Sequence, residues 1–386
     1  MTPQFTNGNR LTLLRSGAEY FPELEAAIAG ARHEMYLETY LYEDDPTGQR
    51  ITQALCDAAH RGALVHVLVD GFGAKDMPAR LRQRLLDAGV QLMVYRRQIS
   101  PLTLQRQRLR RMHRKIAVVD GRVAFIGGIN IIDDMHTPRH TPPRYDFAVR
   151  VEGPLLAEMQ EEVERLWGLV SWANFRRRWR VQRRAAVDAA PKGPQRAALV
   201  VRDNFRHRAD IEDAYLGAIG AARNEIVLAN AYFFPGKRFR NALRAAARRG
   251  VRVVVLLQGR VEYVLLHYAS RALYGTLLDA GVEIHEYHKS FMHAKVAVID
   301  GSWATVGSSN IDPFSLMLAR EANIVVEDRE FAAELRAALH EGMKDGARVI
   351  EKTLWRRQPL SLRALIWSAY ALARFLMGMV GYGARH

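Results

Sequence analysis

Two short stretches carry side chains that could do chemistry together. "MHRKIAVVDGRVAFIGGIN" holds His113, Lys115, Asp120, Gly127, Gly128 and Asn130; "MHAKVAVIDGSWATVGSSN" holds His293, Lys295, Asp300, Gly307, Ser308 and Asn310. The histidine, lysine, aspartate, first glycine and asparagine all recur at one offset of 180 positions. On an extended segment residues i and i+2 share a face. His113 therefore projects with Lys115, and His293 with Lys295, while Ile116, Val118, Val296 and Val298 face the other way. A lone histidine beside an apolar strand is usually structural. Two of them with matching lysine, glycine and asparagine point to a site.

These residue types suit a phosphodiester, which is anionic and repels nucleophiles. Two ammonium groups and the amides of Asn130 and Asn310 can neutralise and hold its non-bridging oxygens, with Gly128 and Ser308 as further phosphate-binding positions. One neutral imidazole can attack phosphorus and carry it as a phosphohistidine. The other can protonate the departing alkoxide and then deprotonate the incoming alcohol or water. Each ring also needs an acceptor for its second nitrogen. Glu321, downstream of His293 in "SLMLAREANIVV", and Asp146, downstream of His113 in "TPPRYDFAVRV", are the expected orienters, one in each half. Asp120 and Asp300 complete the motif and count with the catalytic set, although an Asp before Gly mainly holds a tight turn. No metal and no cofactor is expected, because lysines rather than clustered carboxylates surround the histidines.

The elements that must position these groups are duplicated too. "QALCDAAHRGALVHVLVDG" is similar to "NALRAAARRGVRVVVLLQG", and "LRQRLLDAGVQLMVY" to "SRALYGTLLDAGVEIHEY". Helical periodicity alternates with Val/Ile/Leu-rich strands, which predicts an α/β fold with mixed sheets. The Asp-Gly step between two apolar runs predicts a hairpin at the end of each unit. The expected organisation is a first half over 1–175, a basic linker over 176–198, a second half over 199–358 and an apolar segment over 359–386.

The duplicated His-x-Lys-x4-Asp, followed by Gly-Gly or Gly-Ser and Asn, resembles the phospholipase D superfamily. Within it, "LETYLYEDDPTG", "DFAVRVEGP", "RDNFRHRADIEDAYLGAI" and "WATVGSSNIDPFSL" are similar to bacterial cardiolipin synthases of the shorter type without two N-terminal membrane spans. The resemblance covers residues about 10 to 345. It implies two α-β-α sandwich halves related by a pseudo-twofold axis, with the site between them. It also implies phosphatidyl transfer between two phosphatidylglycerol molecules, yielding cardiolipin and glycerol, with His113 as nucleophile and His293 as acid and base. A phospholipid hydrolase and a metal-independent nuclease of the same superfamily are the alternatives.

The formal charge is +15, from 56 Lys plus Arg against 41 Asp plus Glu. An anionic partner follows, and an anionic membrane surface is preferred to nucleic acid because of the apolar C-terminal segment. The single Cys56 excludes a disulfide within the chain and a cysteine metal cluster. The first residues lack the pattern of a secretory signal. In the last segment Leu362, Ile366, Ala369, Ala373, Leu376 and Val380 form an apolar stripe, and Arg363, Arg374 and Arg385 fall on one face. That suits a helix lying in a membrane interface; packing on the protein and crossing the bilayer are the other arrangements. The expected location is the cell membrane, peripherally on its cytoplasmic face. Nothing in the sequence sets an oligomeric state.

Overall fold

The computed structural model describes residues 3–96, 110–137, 141–174, 185–203, 207–261, 263–312 and 319–379. The first half contains β1 (Thr6–Arg15), α1 (Ser16–Gly30), β2 (Glu34–Thr39), α2 (Pro46–His60), β3 (Leu64–Asp70), α3 (Ala79–Asp87), β4 (Gln91–Tyr95), β5 (Arg111–Met112), β6 (Lys115–Val119), β7 (Val123–Gly127), β8 (Arg144–Tyr145), β9 (Phe147–Glu152) and α4 (Leu156–Ala173). The second repeats the plan with β10 (Gln195–Arg202), α5 (Asp210–Ala221), β11 (Glu225–Asn230), α6 (Lys237–Arg248), β12 (Arg252–Gln258), α7 (Val264–Arg271), α8 (Tyr274–Asp279), β13 (Glu283–Tyr287), β14 (Phe291–Met292), β15 (Lys295–Ile299), β16 (Trp303–Gly307), β17 (Ala319–Glu327), α9 (Arg329–Gly346) and β18 (Ala347–Val349). Two helices follow, α10 (Lys352–Arg356) and α11 (Leu360–Met379).

One mixed sheet runs through both halves in the order β18-β13-β12-β11-β15-β16-β17-β10-β1-β9-β7-β6-β2-β3-β4. The order is a palindrome about the antiparallel pair β1–β10, apart from the extra edge strand β18, so the pseudo-twofold relation is written into the pairing. The α/β class with mixed sheets is as the sequence predicts. The strands are buried on both faces, which explains their continuous apolar runs. Outer helices cover one face of each half. Leu24, Ile51 and Leu85 pack there in the first half, and Ile219, Leu243 and Leu277 in the second. The other faces share one core with α4 and α9, where Ile116, Val118, Val296 and Val298 meet Trp167 and Leu335.

Two boundaries differ from expectation. β10 already begins at Gln195, inside the expected linker, because "QRAALVVR" is needed as the central strand beside β1; residues 176–184 of that linker lie outside the described residues. The apolar stripe of α11 is turned inward. Ile366, Ala369, Ala373 and Met377 are buried, and Ala373 and Met377 pack with Leu265 and Ala269 of α7, with Leu273 just beyond it and with Phe234. The stripe expected in the membrane is therefore the protein-packed face. The opposite face is also apolar and is uncovered, with Trp367, Leu372 and Phe375 exposed at 55%, 49% and 63%. By length and composition, Leu360–Met377 could cross a membrane. Val380 and Arg385 lie outside the described residues.

Candidate active site

The strand carrying each motif is interrupted just before its lysine. β5 leaves the first-half sheet and pairs in parallel with β17 of the second half, Arg320 opposite Met112. Reciprocally, β14 pairs with β8 of the first half, Met292 opposite Tyr145. The backbone N–H of His113 donates to Arg320 O at 2.9 Å, and that of His293 to Tyr145 O at 2.8 Å. Each histidine is thus carried across the axis on a backbone bond to the other half.

This exchange decides the carboxylate partners. His113 Nδ1 lies 3.0 and 3.2 Å from the two oxygens of Glu321. His293 Nδ1 lies 2.7 Å from Asp146 Oδ2. The sequence placed each carboxylate with the histidine of its own half; the structure pairs them crosswise, because the residue next to Glu321 binds the His113 strand and the residue next to Asp146 binds the His293 strand. With Nδ1–H donated to a carboxylate, Nε2 of each neutral ring keeps its lone pair for chemistry.

Both lysines are buried beside the rings. Lys115 and Lys295 each donate from Nζ to the carbonyl of their own histidine, and Lys295 Nζ stands 3.9 Å from Asp146 Oδ2. Burial pushes the Lys115 ammonium down to about 7, against the pull of Glu321. Burial also lowers His113, with Glu321 partly offsetting it. His293 is held well below its usual value by burial, then by Lys295 and Lys115. The Asp146 carboxyl is raised to about 6 by burial, with Lys295 opposing. His113 itself is among the charges acting on His293, and Lys295 among those acting on His113. The six groups form one electrostatic unit.

Asp120 and Asp300 do not belong to it, and their place in the catalytic set is corrected. Each sits at the far end of its strand, about 16 Å from the lysine at ~3.3 Å per residue. Asp120 accepts the backbone N–H groups of Arg32, His33 and Glu34 at 2.8–2.9 Å. Asp300 accepts those of Arg223, Asn224 and Glu225 over the same range. Both adopt a left-handed backbone at φ 50° and 51°, followed by Gly121 and Gly301 at 61° and 62°, which gives a tight hairpin turn. They pin the hairpin to the start of β2 and β11.

Gly128 and Ser308 are also corrected as phosphate ligands. Their amides are spent on the sheet, donating to Phe147 O at 2.9 Å and Ala322 O at 3.1 Å. The Ser308 hydroxyl is buried and donates to Glu321 Oε2. It supports the carboxylate that holds His113 rather than facing substrate. At the matching place in the first half, a Cβ on Gly128 would lie 2.3 Å from Asp146 Oδ1, so no side chain fits. Serine with the longer glutamate and glycine with aspartate are two solutions to one geometry. Asn130 uses Oδ1 to accept from Leu41 N at 3.0 Å; Asn310 Oδ1 is buried with no hydrogen-bond partner among the described residues.

Sequence reasoning missed four neighbours. The Tyr40 ring meets His113 edge-on at 4.8 Å, with Lys115 Nζ 5.6 Å from its centre. Asp70 Oδ2 accepts from Met112 N at 2.9 Å, and Gln258 Nε2 donates to Met292 O at 3.1 Å. These are matching strand-end residues, each gripping the backbone just before a histidine. They were visible as the polar letter before the final glycine of "HVLVDG" and "VVLLQG". Arg114, fully buried, ties β6 to Glu38 and Glu162; its counterpart is Ala294, so the repeat offered no signal.

Residues 24–167 and 215–342 match the family described as cardiolipin synthase, PLD-like domain. The chain is 38% identical over 387 residues to cardiolipin synthase B of Escherichia coli strain K12, covering 100% of this chain and 93% of that one. It is 40% identical over 382 residues to cardiolipin synthase B of Salmonella typhi, covering 98% and 91%. It is 28% identical over 353 residues to a probable cardiolipin synthase of Bacillus subtilis, covering 90% and 69%. Among solved structures, phosphatidylserine synthase of Haemophilus influenzae superposes with a TM-score of 0.72 at 14% identity, over 96% of this chain and 95% of that one. Polyphosphate kinase of Porphyromonas gingivalis gives 0.57 at 15% identity, over 96% and 53%. At those identities the two structures speak to fold alone.

Proposed function

The chain belongs to the cardiolipin synthase family of phospholipase D-like proteins, and from that premise we propose that it transfers a phosphatidyl group from one phosphatidylglycerol to another. The observation that supports this most is the pair of imidazoles, each held through Nδ1 by a carboxylate of the opposite half, within one cluster with two buried lysines. His113 Nε2 attacks the phosphodiester phosphorus. The P–O bond to the headgroup glycerol breaks, and His293 gives that oxygen a proton. The phosphatidyl group is then on His113. A primary hydroxyl of a second phosphatidylglycerol attacks, His293 takes its proton, the P–N bond breaks and cardiolipin leaves. Lys115 and Lys295 neutralise the non-bridging oxygens, and Asn130 and Asn310 donate to them from Nδ2. The bound phosphodiester adds negative charge between the rings, which favours protonating one of them despite the low resting values.

The membrane is the source of both substrates. The uncovered apolar face of α11 suits a peripheral seat on the cytoplasmic leaflet. α7, on which α11 packs, begins with the exposed Tyr263 and Val264, a short step after Gln258, which touches the backbone next to His293. The apolar surface and the approach to the histidines therefore share one side. The positive net charge favours an anionic leaflet.

Purified protein is incubated with phosphatidylglycerol vesicles and the products are read by mass spectrometry. Cardiolipin with an equal amount of glycerol is expected. Phosphatidic acid alone would make the chain a hydrolase, and cleavage of DNA with no lipid product would make it a nuclease. His113→Ala and His293→Ala are each expected to abolish turnover.

A further inference from the structure

A second basic recess lies away from the histidines and shares no residue with them. It opens between α8, α10 and the start of α11 and encloses about 280 Å³, close to the lower end of small-ligand clefts at ~300 Å³. Three arginines line it, Arg271, Arg356 and Arg363, against one carboxylate, Asp279. That carboxylate is heavily shared: Arg356 Nη2 and Lys352 Nζ reach the same oxygen at 2.6 and 3.0 Å. Arg271 is turned to Glu286 at 3.0 Å and lies 5.7 Å over the Trp355 ring. The Arg363 side chain has no ion pair among the described residues. The recess therefore carries a surplus of positive charge.

Its rim has the opposite character. Trp367 of its wall is exposed at 55%, and Leu354, beside the lining Trp355 in the chain, and Leu360, the first residue of α11, are exposed at 62% and 80%. Trp367 belongs both to the recess wall and to the uncovered side of α11 that continues through Leu372 and Phe375. Arg356 and Arg363 are themselves exposed beside the tryptophans of the wall, and cationic and tryptophan side chains side by side suit the interfacial depth of a bilayer surface. There phosphate lies at headgroup depth and acyl chains begin just below.

We infer that this recess is a non-catalytic binding site for an anionic phospholipid, with the lipid phosphate held by Arg363 and Arg356 and the acyl chains running along the exposed face of α11. The inference rests on the membrane-docked reading above but not on the reaction. Free phosphate offers the same charge without the chains, so the apolar rim selects the lipid. Holding one such lipid fixes the helix at headgroup depth and sets the tilt at which the histidines meet their substrate.

The test is partition of the full chain into phosphatidylcholine vesicles with and without a phosphatidylglycerol fraction. A basic residue at an anionic surface contributes about 1 kcal/mol, or about fivefold in a partition constant. Arg363→Gln is expected to lose about fivefold on the anionic vesicles and nothing on pure phosphatidylcholine. Adding Arg356→Gln should bring the loss to about thirtyfold. Because Arg356 also pairs with Asp279, Arg363→Glu with an unchanged melting temperature serves as the independent variant, and a larger loss than with glutamine is expected. Equal losses on both vesicle types, or none on either, would overturn the site. So would displacement from anionic vesicles by inorganic phosphate at low millimolar concentration, since that would make it a free-phosphate site. Composition-dependent loss in a protein that makes no cardiolipin would sink the reaction and leave the recess. Cardiolipin synthesis with composition-blind arginine variants would do the reverse.

Discussion

Glu321→Gln tests the crosswise pairing most sharply, because the Ser308 hydroxyl favours one orientation of the new amide. Glu321 Oε2 accepts the Ser308 hydroxyl, and Ser308 Oγ in turn accepts Ala322 N at 3.1 Å. A glutamine at 321 satisfies Ser308 with its oxygen and so presents its NH2 group to His113 Nδ1. Nδ1 must then accept, the proton moves to Nε2, and the atom required for attack loses its lone pair. At a histidine-orienting carboxylate, this kind of tautomer inversion costs on the order of 10⁴-fold in turnover. The charge is lost as well. A carboxylate ~4 Å from an imidazolium at an effective dielectric of ~20 contributes about 4 kcal/mol. That is ~3 pKa units at 1.36 kcal/mol each, a ceiling that relaxation of the site reduces. His113 should therefore bind a proton less readily in the variant, while His293 hardly changes.

The assay is ¹⁵N NMR of histidine-labelled protein, in which a protonated ring nitrogen and a bare one differ in shift, with His113→Gln and His293→Gln supplying the assignments. Wild type should show both rings protonated at Nδ1 at neutral pH. In Glu321→Gln the His113 signals should exchange character and those of His293 should stay; Asp146→Asn should do the converse. Adding Ser308→Ala to Glu321→Gln frees the amide to turn its oxygen to Nδ1, so turnover should recover part of the ~10⁴ lost. A change at His293 in the Glu321 variant with His113 untouched would refute the reasoning, as would no rescue by Ser308→Ala.

Gly128→Ala drives a methyl onto Asp146 and should cost about 1–3 kcal/mol by overpacking, read as a lower melting temperature, and should depress kcat through a displaced His293. Asp120→Ala leaves three backbone N–H groups without their acceptor and should destabilise by about 1–3 kcal/mol, with kcat per folded molecule nearly unchanged; a collapse of kcat in fully folded protein would restore Asp120 to the chemistry. The pH profile of kcat/KM should be a narrow bell. Its acid limb appears as Asp146 gains a proton when pH falls through about 6. Its basic limb appears as Lys115 loses one when pH rises through about 7. Both limbs belong to the coupled cluster, yet Lys115→Arg, which cannot lose its charge, should move the basic limb upward. Phe375→Asp on the exposed face of α11 should weaken vesicle binding without moving the melting temperature.

The duplicated motif was legible because it is local: fixed spacing, residue type and two-residue strand periodicity all survive in the string of letters. The hairpins were legible for the same reason, since Asp120-Gly121 and Asp300-Gly301 supply the left-handed pair the turn needs. The partner of each histidine was not legible. Glu321 follows His293 in the chain and serves His113, and only the exchanged pairing of β5 with β17 and β14 with β8 reveals it. The α11 stripe was misassigned because Ala373 and Met377 are equally content against lipid or against Leu273. An apolar pattern fixes which face avoids water, not what covers it. The missed clue was the second apolar face, Leu365, Leu372 and Phe375, which a helix with a single partner would not need.

The exchange has a consequence for how such a site can vary. Cut at the linker, the first half would keep His113 but lose the carboxylate and the backbone carbonyl that hold it, and the second half would lose the same for His293. Neither half contains a finished imidazole. An intact site needs two copies in contact, and in two identical chains symmetry would force both rings into one environment. Joining the copies in a single chain removes that constraint. Here Ser308 and Glu321 stand behind one ring, Gly128 and Asp146 behind the other, and Tyr40 touches only the first. A two-step transfer asks one ring to hold phosphorus and the other to move protons, and inequivalent surroundings are what allow each to be set for its own task.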